Sequence, residues 1–284
     1  MRTTILLIAA FIFSLGFTSC SKNDDEDQNV VENPLADYNL LTSFKSNGHD
    51  IQIYSDQEQF TVGYNELFIR IKDDDTDAFI KNADISWKPL MHMTGMMHGC
   101  PASAIETTED TSVYSGYLVF QMPGNADEYW DLTLDYKIDG LDYSTSARID
   151  VNSPADGKRR VNSFMGSDDV RYVLAMLPME PKEGVNNFAS VLYKMEDMIT
   201  FTNVAGYKVT LDPRMPGMGN HSSPNNEVLT YDTTTKTYQG KLNFTMTGYW
   251  KINLELIDEN GETLKGNGVA EENESSSLFF EIEF

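Results

Sequence analysis

The feature that most constrains this chain is that it states one pattern twice. The segment "ISWKPLMHMTGMMHGCP" (85–101) is answered by "VTLDPRMPGMGNHSSP" (209–224), so that Pro89 aligns with Pro213, Met91 with Met215, His98 with His221 and Pro101 with Pro224. The register continues downstream, where "YSGYLVFQM" (114–122) matches "YQGKLNFTM" (238–246) and Trp130 matches Trp250, and upstream, where "GYNEL" (63–67) matches "GVNNF" (184–188). Trp, Pro, His and Met are uncommon residues, and their recurrence in one order argues for a duplicated unit.

Strand signals dominate that unit. In "YWDLTLDYKID" Trp130, Leu132, Leu134, Tyr136 and Ile138 share one face while charged and polar residues take the other, the period-two pattern of a half-buried strand. Leu67, Ile69 and Ile71 repeat it, as do Tyr143 to Val151, Trp250 to Leu256 and Leu278 to Phe284. A unit of about 110 to 120 residues built of short strands has the size of an immunoglobulin-like sandwich. The sequence therefore predicts an all-β chain with two tandem immunoglobulin-like β-sandwich domains, at 41–152 and 161–284, joined near "NSPADGKRR" (152–160).

The first twenty residues, "MRTTILLIAAFIFSLGFTSC", have a basic start at Arg2, an apolar run from Ile5 to Phe13 and small polar residues before Cys20. This is an export signal, too short to span a bilayer and not part of the fold. Ser19-Cys20 at its end resembles the lipobox of bacterial lipoproteins, which implies cleavage before Cys20, lipidation of that cysteine and a membrane anchor. Phe17 stands where the commonest lipobox has Leu. The following "SKNDDEDQ" (21–28) resembles the acidic tag of surface-exposed outer-membrane lipoproteins, and residues 21–40 are expected to form an acidic flexible linker. The expected location is the outer membrane, lipid-anchored and facing either the cell surface or the periplasm.

The chain has 21 Lys plus Arg against 44 Asp plus Glu, a formal net charge of −23. Such a chain repels nucleic acid and anionic lipid headgroups, and its first consequence is solubility. With Cys20 lipidated, Cys100 is the one remaining thiol of two cysteines, which leaves no intrachain disulfide.

The run from 91 to 101 holds four of the 14 Met, two of the four His and Cys100. Methionine in a β protein is usually core filler, and Met122 and Met246 fit that role: each is in phase with the Tyr, Gly, Leu and Phe that precede it on its strand. Met91, Met93, Met96, Met97, Met215 and Met218 lie instead among Pro and Gly, where a loop is expected to expose them. With His92, His98, His221 and Cys100 they form a candidate soft-metal set. Thioether and thiolate sulfur suit Cu(I), imidazole suits copper and zinc, and zinc would more often show four Cys or His in paired spacings. Copper as Cu(I) is the expected cofactor or cargo. Cys100 aligns with Ser223 in the second unit, so the first site is expected to bind more tightly.

Pro-x-Met with further Met, Gly and His, then Pro, then Tyr-x-Gly entering an apolar strand and a Trp, resembles the YtkA-like and FixH-like domains. The resemblance covers about residues 45–150 and 165–284. It implies small extracytoplasmic β-sandwich domains linked to copper handling and to assembly of copper-containing oxidases, with a copper-donating or copper-accepting partner. In "MPGMGNHSSP" it implies Met215, Met218 and His221 as ligand candidates; the first loop is one residue longer and richer in Met.

The chain contains no Gly-x-Ser-x-Gly, no His-Glu-x-x-His and no phosphate loop, and a non-enzymatic role is expected. "KDDDTDAF" (72–79) reads as a solvated turn and not a calcium loop, and His49 as an exposed turn residue without a role. The competing class is a metal-free cell-surface module, binding a protein or glycan, in which the Met-rich loops are contact surface.

Overall fold

The alternation that marks the strands in sequence also decides which side chains they bury. The computed structural model describes residues 33–284, so the leader, Cys20 and most of the expected linker lie outside the described residues. In the first half the strands are β1 (Asn39–Ser46), β2 (His49–Ser55), β3 (Gly63–Asp73), β4 (Asp84–Met93), β5 (Met96–Gly99), β6 (Glu106–Thr107), β7 (Tyr114–Phe120), β8 (Tyr129–Ile138) and β9 (Leu141–Ile149). The second half has β10 (Val161–Met165), β11 (Arg171–Met176), β12 (Gly184–Met195), β13 (Phe201–Asn203), β14 (Lys208–Met215), β15 (His221–Ser222), β16 (Leu229–Asp232), β17 (Thr237–Phe244), β18 (Tyr249–Ile257), β19 (Thr263–Gly266) and β20 (Leu278–Glu283). The protein is all-β.

In the first half a five-stranded sheet, β1-β2-β3-β7-β6, faces a four-stranded sheet, β5-β4-β8-β9. The second half repeats this order, β10-β11-β12-β17-β16 answering the first sheet and β15-β14-β18-β20 the second, with β13 added beside β12 and β19 beside β18. There the two layers are joined at one edge by β16, whose Thr230 is paired with Gln239 of β17 on one side and Lys208 of β14 on the other. Each half buries its own core: Ile51, Ile69, Trp130 and Leu132 in the first, Leu174, Phe188, Trp250 and Phe280 in the second. These are two immunoglobulin-like β-sandwiches in tandem.

The repeated residues upstream of the Met/His segments are structural. Gly63 and Gly184 both open their strands at positive φ, 116° and 91°, and the Asn two residues on closes the turn. Asn65 accepts the Thr61 N–H and donates to the Thr61 and Gly63 carbonyls; Asn186 does the same with Lys182 and Gly184. The Tyr-x-Gly pairs work alike. Tyr114 donates to the Ile80 carbonyl and Tyr238 to the Val204 carbonyl, each pinning a loop with a buried hydroxyl. A Cβ on Gly116 would meet the Trp87 ring at 2.8 Å, and one on Gly240 the Leu229 side chain at 2.9 Å.

The halves meet along a third apolar cluster. Val119 of β7 packs with Val173 and Ala175 of β11 and Val191 and Tyr193 of β12, with Tyr64 and Tyr117 alongside. The Tyr117 and Tyr193 hydroxyls are 2.6 Å apart. Because β11 buries Tyr172 and Leu174 inward and Val173 and Ala175 in this seam, "YVLAM" is a continuous apolar run without alternation.

The fold begins earlier than expected. Residues 34–40 are not linker: Leu35 is buried, Tyr38 packs on Phe68 at 4.5 Å and β1 starts at Asn39. Pro34–Phe284 forms one compact unit. Replacement of Trp250 by Ala removes a fully buried side chain and is expected to cost about 3–5 kcal/mol. Urea unfolding of the chain from residue 21 onward measures it.

Candidate metal centre

The run from 91 to 101 is a β-hairpin and not a loop. Strands β4 and β5 are joined by Thr94-Gly95, with Gly95 at φ 82°, a backbone state that favours glycine. The ladder pairs Met91 with His98, His92 with Met97 and Met93 with Met96. Successive residues of a strand point to opposite faces, and directly paired residues share one. The register therefore sorts the candidate ligands into two sets: Met91, Met93, Met96 and His98 toward the sandwich interior, His92 and Met97 away from it.

The inner set sits on the first core. Met91 is fully buried and is paired across the sheet with Trp130; Met93 and Met122 pack half-buried against the same cluster. The His98 ring meets Trp130 edge-on at 5.4 Å. Its Nδ1 lies 2.8 Å from the Gly99 carbonyl oxygen and its Nε2 lies 3.4 Å from Met122 Sδ. A carbonyl oxygen only accepts, so Nδ1 bears the hydrogen; in the neutral tautomer that this defines, Nε2 carries a lone pair facing a thioether, itself only a weak acceptor. Two soft electron-pair donors thus face one another. Holding the second ring nitrogen on a backbone carbonyl is also how metal-ligating histidines are oriented. Met122 is anchored in turn, its carbonyl accepting the Trp130 indole N–H at 3.0 Å. Met96, 51 % exposed, stands on the same face at the hairpin end.

The outer set is committed elsewhere. His92 Nε2 is 2.9 Å from Asp131 Oδ2 and its ring stacks on Tyr129 at 4.9 Å, leaving Met97 exposed beside it. Cys100 is buried, and burial pushes its thiol pKa up, away from the thiolate that binds soft metals. The tighter first site expected from Cys100 has no basis in this placement.

In the second half Met215 and His221 are again cross-strand partners. The unpaired turn between them is longer than Thr94-Gly95, a 3-10 turn at Pro216–Met218 followed by Gly219 and Asn220 in the left-handed region, φ 62° and 59°. Met215 is buried in the core, contrary to the exposed loop position expected of it, whereas Met218 is 54 % exposed. His221 is exposed, with Nε2 3.3 Å from Thr245 Oγ1. Met246 is half-buried on the core and accepts the Trp250 indole N–H at 3.0 Å through its carbonyl, as Met122 does for Trp130.

Met122 packs on the core, as its strand phase leads one to expect, and its sulfur also lies 3.4 Å from His98 Nε2. One further expectation changes: His49 is not an exposed turn residue. It is buried at the head of β2, with Nδ1 3.0 Å from the Tyr136 hydroxyl and its ring edge-on to Tyr143 at 5.1 Å. The acidic turn at 72–79 spends its carboxylates locally: Asp73 accepts the Asp75 and Thr76 N–H groups, and Asp74 and Asp77 pair with Lys45 and Lys72. Among the described residues no three His, Cys, Asp or Glu gather as a metal-binding group, and the partners on the inner face with His98 are thioethers.

Comparison with protein-family models and with curated proteins finds no match. Among solved structures, a DUF4785 family protein from Legionella pneumophila aligns over 77 % of this chain and 56 % of its own length at 13 % identity and a TM-score of 0.26. FdeC, an Escherichia coli adhesin, aligns over 78 % of this chain and 62 % of its own at 14 % identity and the same TM-score of 0.26. The chain thus spans between half and two thirds of either, and similarity at that level carries no functional argument.

Because Cys100 is buried, a maleimide is expected to leave the native chain from residue 21 onward, in which Cys100 is the one thiol, unlabelled over a period in which the urea-unfolded chain labels to completion. Mass spectrometry reads the difference, and rapid labelling of the native chain contradicts the burial.

Proposed function

We propose that this chain is an extracytoplasmic lipoprotein that binds Cu(I) through Met and His side chains on a hairpin in each half, for sequestration or for transfer to a partner protein. The observation that carries this reading is His98: its Nδ1 is held on the Gly99 carbonyl while its Nε2 faces the Met122 thioether. Thioether and imidazole together select a soft, low-charge ion such as Cu(I), and thioethers have no proton to lose, so they keep their donor pair as pH falls. The membrane anchor rests on Cys20 and its flanks alone.

The chain's own residues divide the work. Gly99 and Trp130 orient His98 and Met122 before any ion arrives, which lowers the ordering cost of binding. Met96, in phase with His98 and exposed at the hairpin end, gives an incoming partner a sulfur to displace. Few donors, neutral and partly exposed, suit a site from which metal can be passed on. A non-enzymatic role follows, since Cu(II) redox chemistry favours sites richer in nitrogen than these.

A second reading draws on the exposed Met96, Met97, Met218 and Ile199, each more than half exposed although large and apolar. They would then be the contact surface of a metal-free interaction module.

The test is a Cu(I) competition titration against a colorimetric chelator under reducing conditions, on the chain from residue 21. Two equivalents are expected for the wild type. The pair His98→Ala with Met122→Leu should lose one equivalent and His221→Ala with Met218→Leu the other, the Met→Leu changes conserving volume. No competition by the wild-type chain sinks the copper function and leaves the contact-surface reading.

A further inference from the structure

The outer edge of β5 is not open. The tip of the β12–β13 hairpin, residues 196–200 of the second half, closes on it: the Gly99 N–H donates to the Met198 carbonyl at 2.8 Å. The approach is close, since a Cβ on Gly99 would lie 3.0 Å from the Ile199 carbonyl oxygen and 3.2 Å from Ile199 Cα. The tip is itself built to hold that carbonyl in place. Glu196 N–H donates to the Thr200 carbonyl at 2.9 Å, and Asp197 Oδ1 accepts the Ile199 and Thr200 N–H groups at 2.8 Å each.

Gly99 is the residue whose carbonyl holds His98 Nδ1. One residue therefore links two bonds: its N–H is held by the second half of the chain, and its C=O sets which nitrogen of His98 carries the hydrogen. We propose that the second half acts as a positioning element for the first site, with the 196–200 tip fixing Gly99 and through it the tautomer and orientation of His98.

Among the described residues no such clamp holds the second site. Ser222 takes the place of Gly99 after His221, it is exposed, and His221 is oriented by the Thr245 hydroxyl instead. The two copies thus differ in preorganisation although their cross-strand Met–His pairs are the same. Any displacement of the tip, by a partner docking on the exposed Met198 and Ile199, would free the Gly99 peptide, loosen His98 and weaken the first site alone. The chain then has one site gated by its own second half and one site ungated.

Asp197→Ala tests this without touching the hairpin, because Asp197 is exposed and makes its hydrogen bonds only within the tip. Gly99→Ala tests it from the other side by forcing the Ile199 backbone away. The first readout is the long-range ¹H–¹⁵N correlation spectrum of the histidine rings, recorded on the metal-free chain from residue 21 at a pH where the rings are neutral. The wild type is expected to show His98 as the Nδ1–H tautomer, and both variants to shift it toward a mixture with Nε2–H while His221 is unmoved. The second readout is Cu(I) affinity, which rests on the proposed copper function: the first site should weaken by about 10-fold or more, the usual scale for loss of an orienting partner, and the second should not change. If His98 keeps its tautomer in both variants the positioning role is overturned, whatever copper does. If the tautomer shifts but the chain takes up no copper, the positioning role stands and the copper function falls.

Discussion

Both halves are organised around one indole. Trp130 is fully buried, sits across the sheet from Met91, gives its N–H to the Met122 carbonyl and meets the His98 ring in a T-shaped contact. Trp250 repeats two of these relations with its own half: it is fully buried and it donates to the Met246 carbonyl. A buried indole N–H without an acceptor would cost roughly 1–3 kcal/mol, so the chain leaving β7 or β17 must pass where its carbonyl can meet that donor. In the first half that requirement brings Met122 beside the Met/His hairpin; in the second the neighbour that meets His221 is Thr245. The core and the candidate site are thus one construction, and a substitution at either Trp should be felt in both.

The duplication explains the scaffold, and the departures from it explain the difference between the sites. Gly-x-Asn, Tyr-x-Gly and Trp make the same hydrogen bonds in both halves. The hairpins are the place where the copies diverge, a two-residue turn at Thr94-Gly95 against five residues between Met215 and His221. The halves are also unequal as neighbours. The seam of Val119, Val173, Ala175, Val191 and Tyr193 brings the second half's 196–200 tip against the first half's β5, whereas the equivalent acidic turn of the first half is occupied with Lys45 and Lys72. A tandem repeat packed along one face cannot give both copies the same environment, and the asymmetry falls at Gly99.

Much of this was legible in the sequence. Period-two runs such as Trp130 to Ile138 gave their strands and inner faces, and the recurring Trp, Tyr and Pro gave the duplication. The hairpin itself was legible but masked. Ile85, Trp87, Pro89, Met91 and Met93 alternate inward in one unbroken phase, as do Val209, Leu211, Pro213 and Met215, yet a proline inside a run usually argues against a strand. Here Pro89 and Pro213 stand just before the short strands β5 and β15 begin to pair, at Leu90 and Arg214, where that side of the strand has no ladder for a proline to interrupt. With the strand phase restored, Met91 and Met215 are core residues and His92 faces away from His98. β11 failed for the opposite reason: buried on both faces, it has no alternation to read. The burial of His49 and Cys100, and the contact of residue 198 with residue 99, depend on tertiary packing and leave no local trace.

Under the proposed function, the acidic surface and the soft site do different work. A net charge of −23 draws every cation toward the chain and distinguishes poorly among them, since a long-range field acts on charge alone. Hard divalent ions would need several carboxylate oxygens converging on one point, and the acidic groups nearest the hairpin are already spent, Asp131 on His92 and Asp197 on its own turn. What remains open to an ion at the hairpin is neutral sulfur and one oriented imidazole nitrogen. Selection then falls to donor softness, which favours Cu(I) over the far more abundant hard cations by chemistry and not by charge. The same neutrality keeps the hold weak enough to break: a partner offering a further thiolate or thioether takes the ion without having to pull it from a field of buried negative charge.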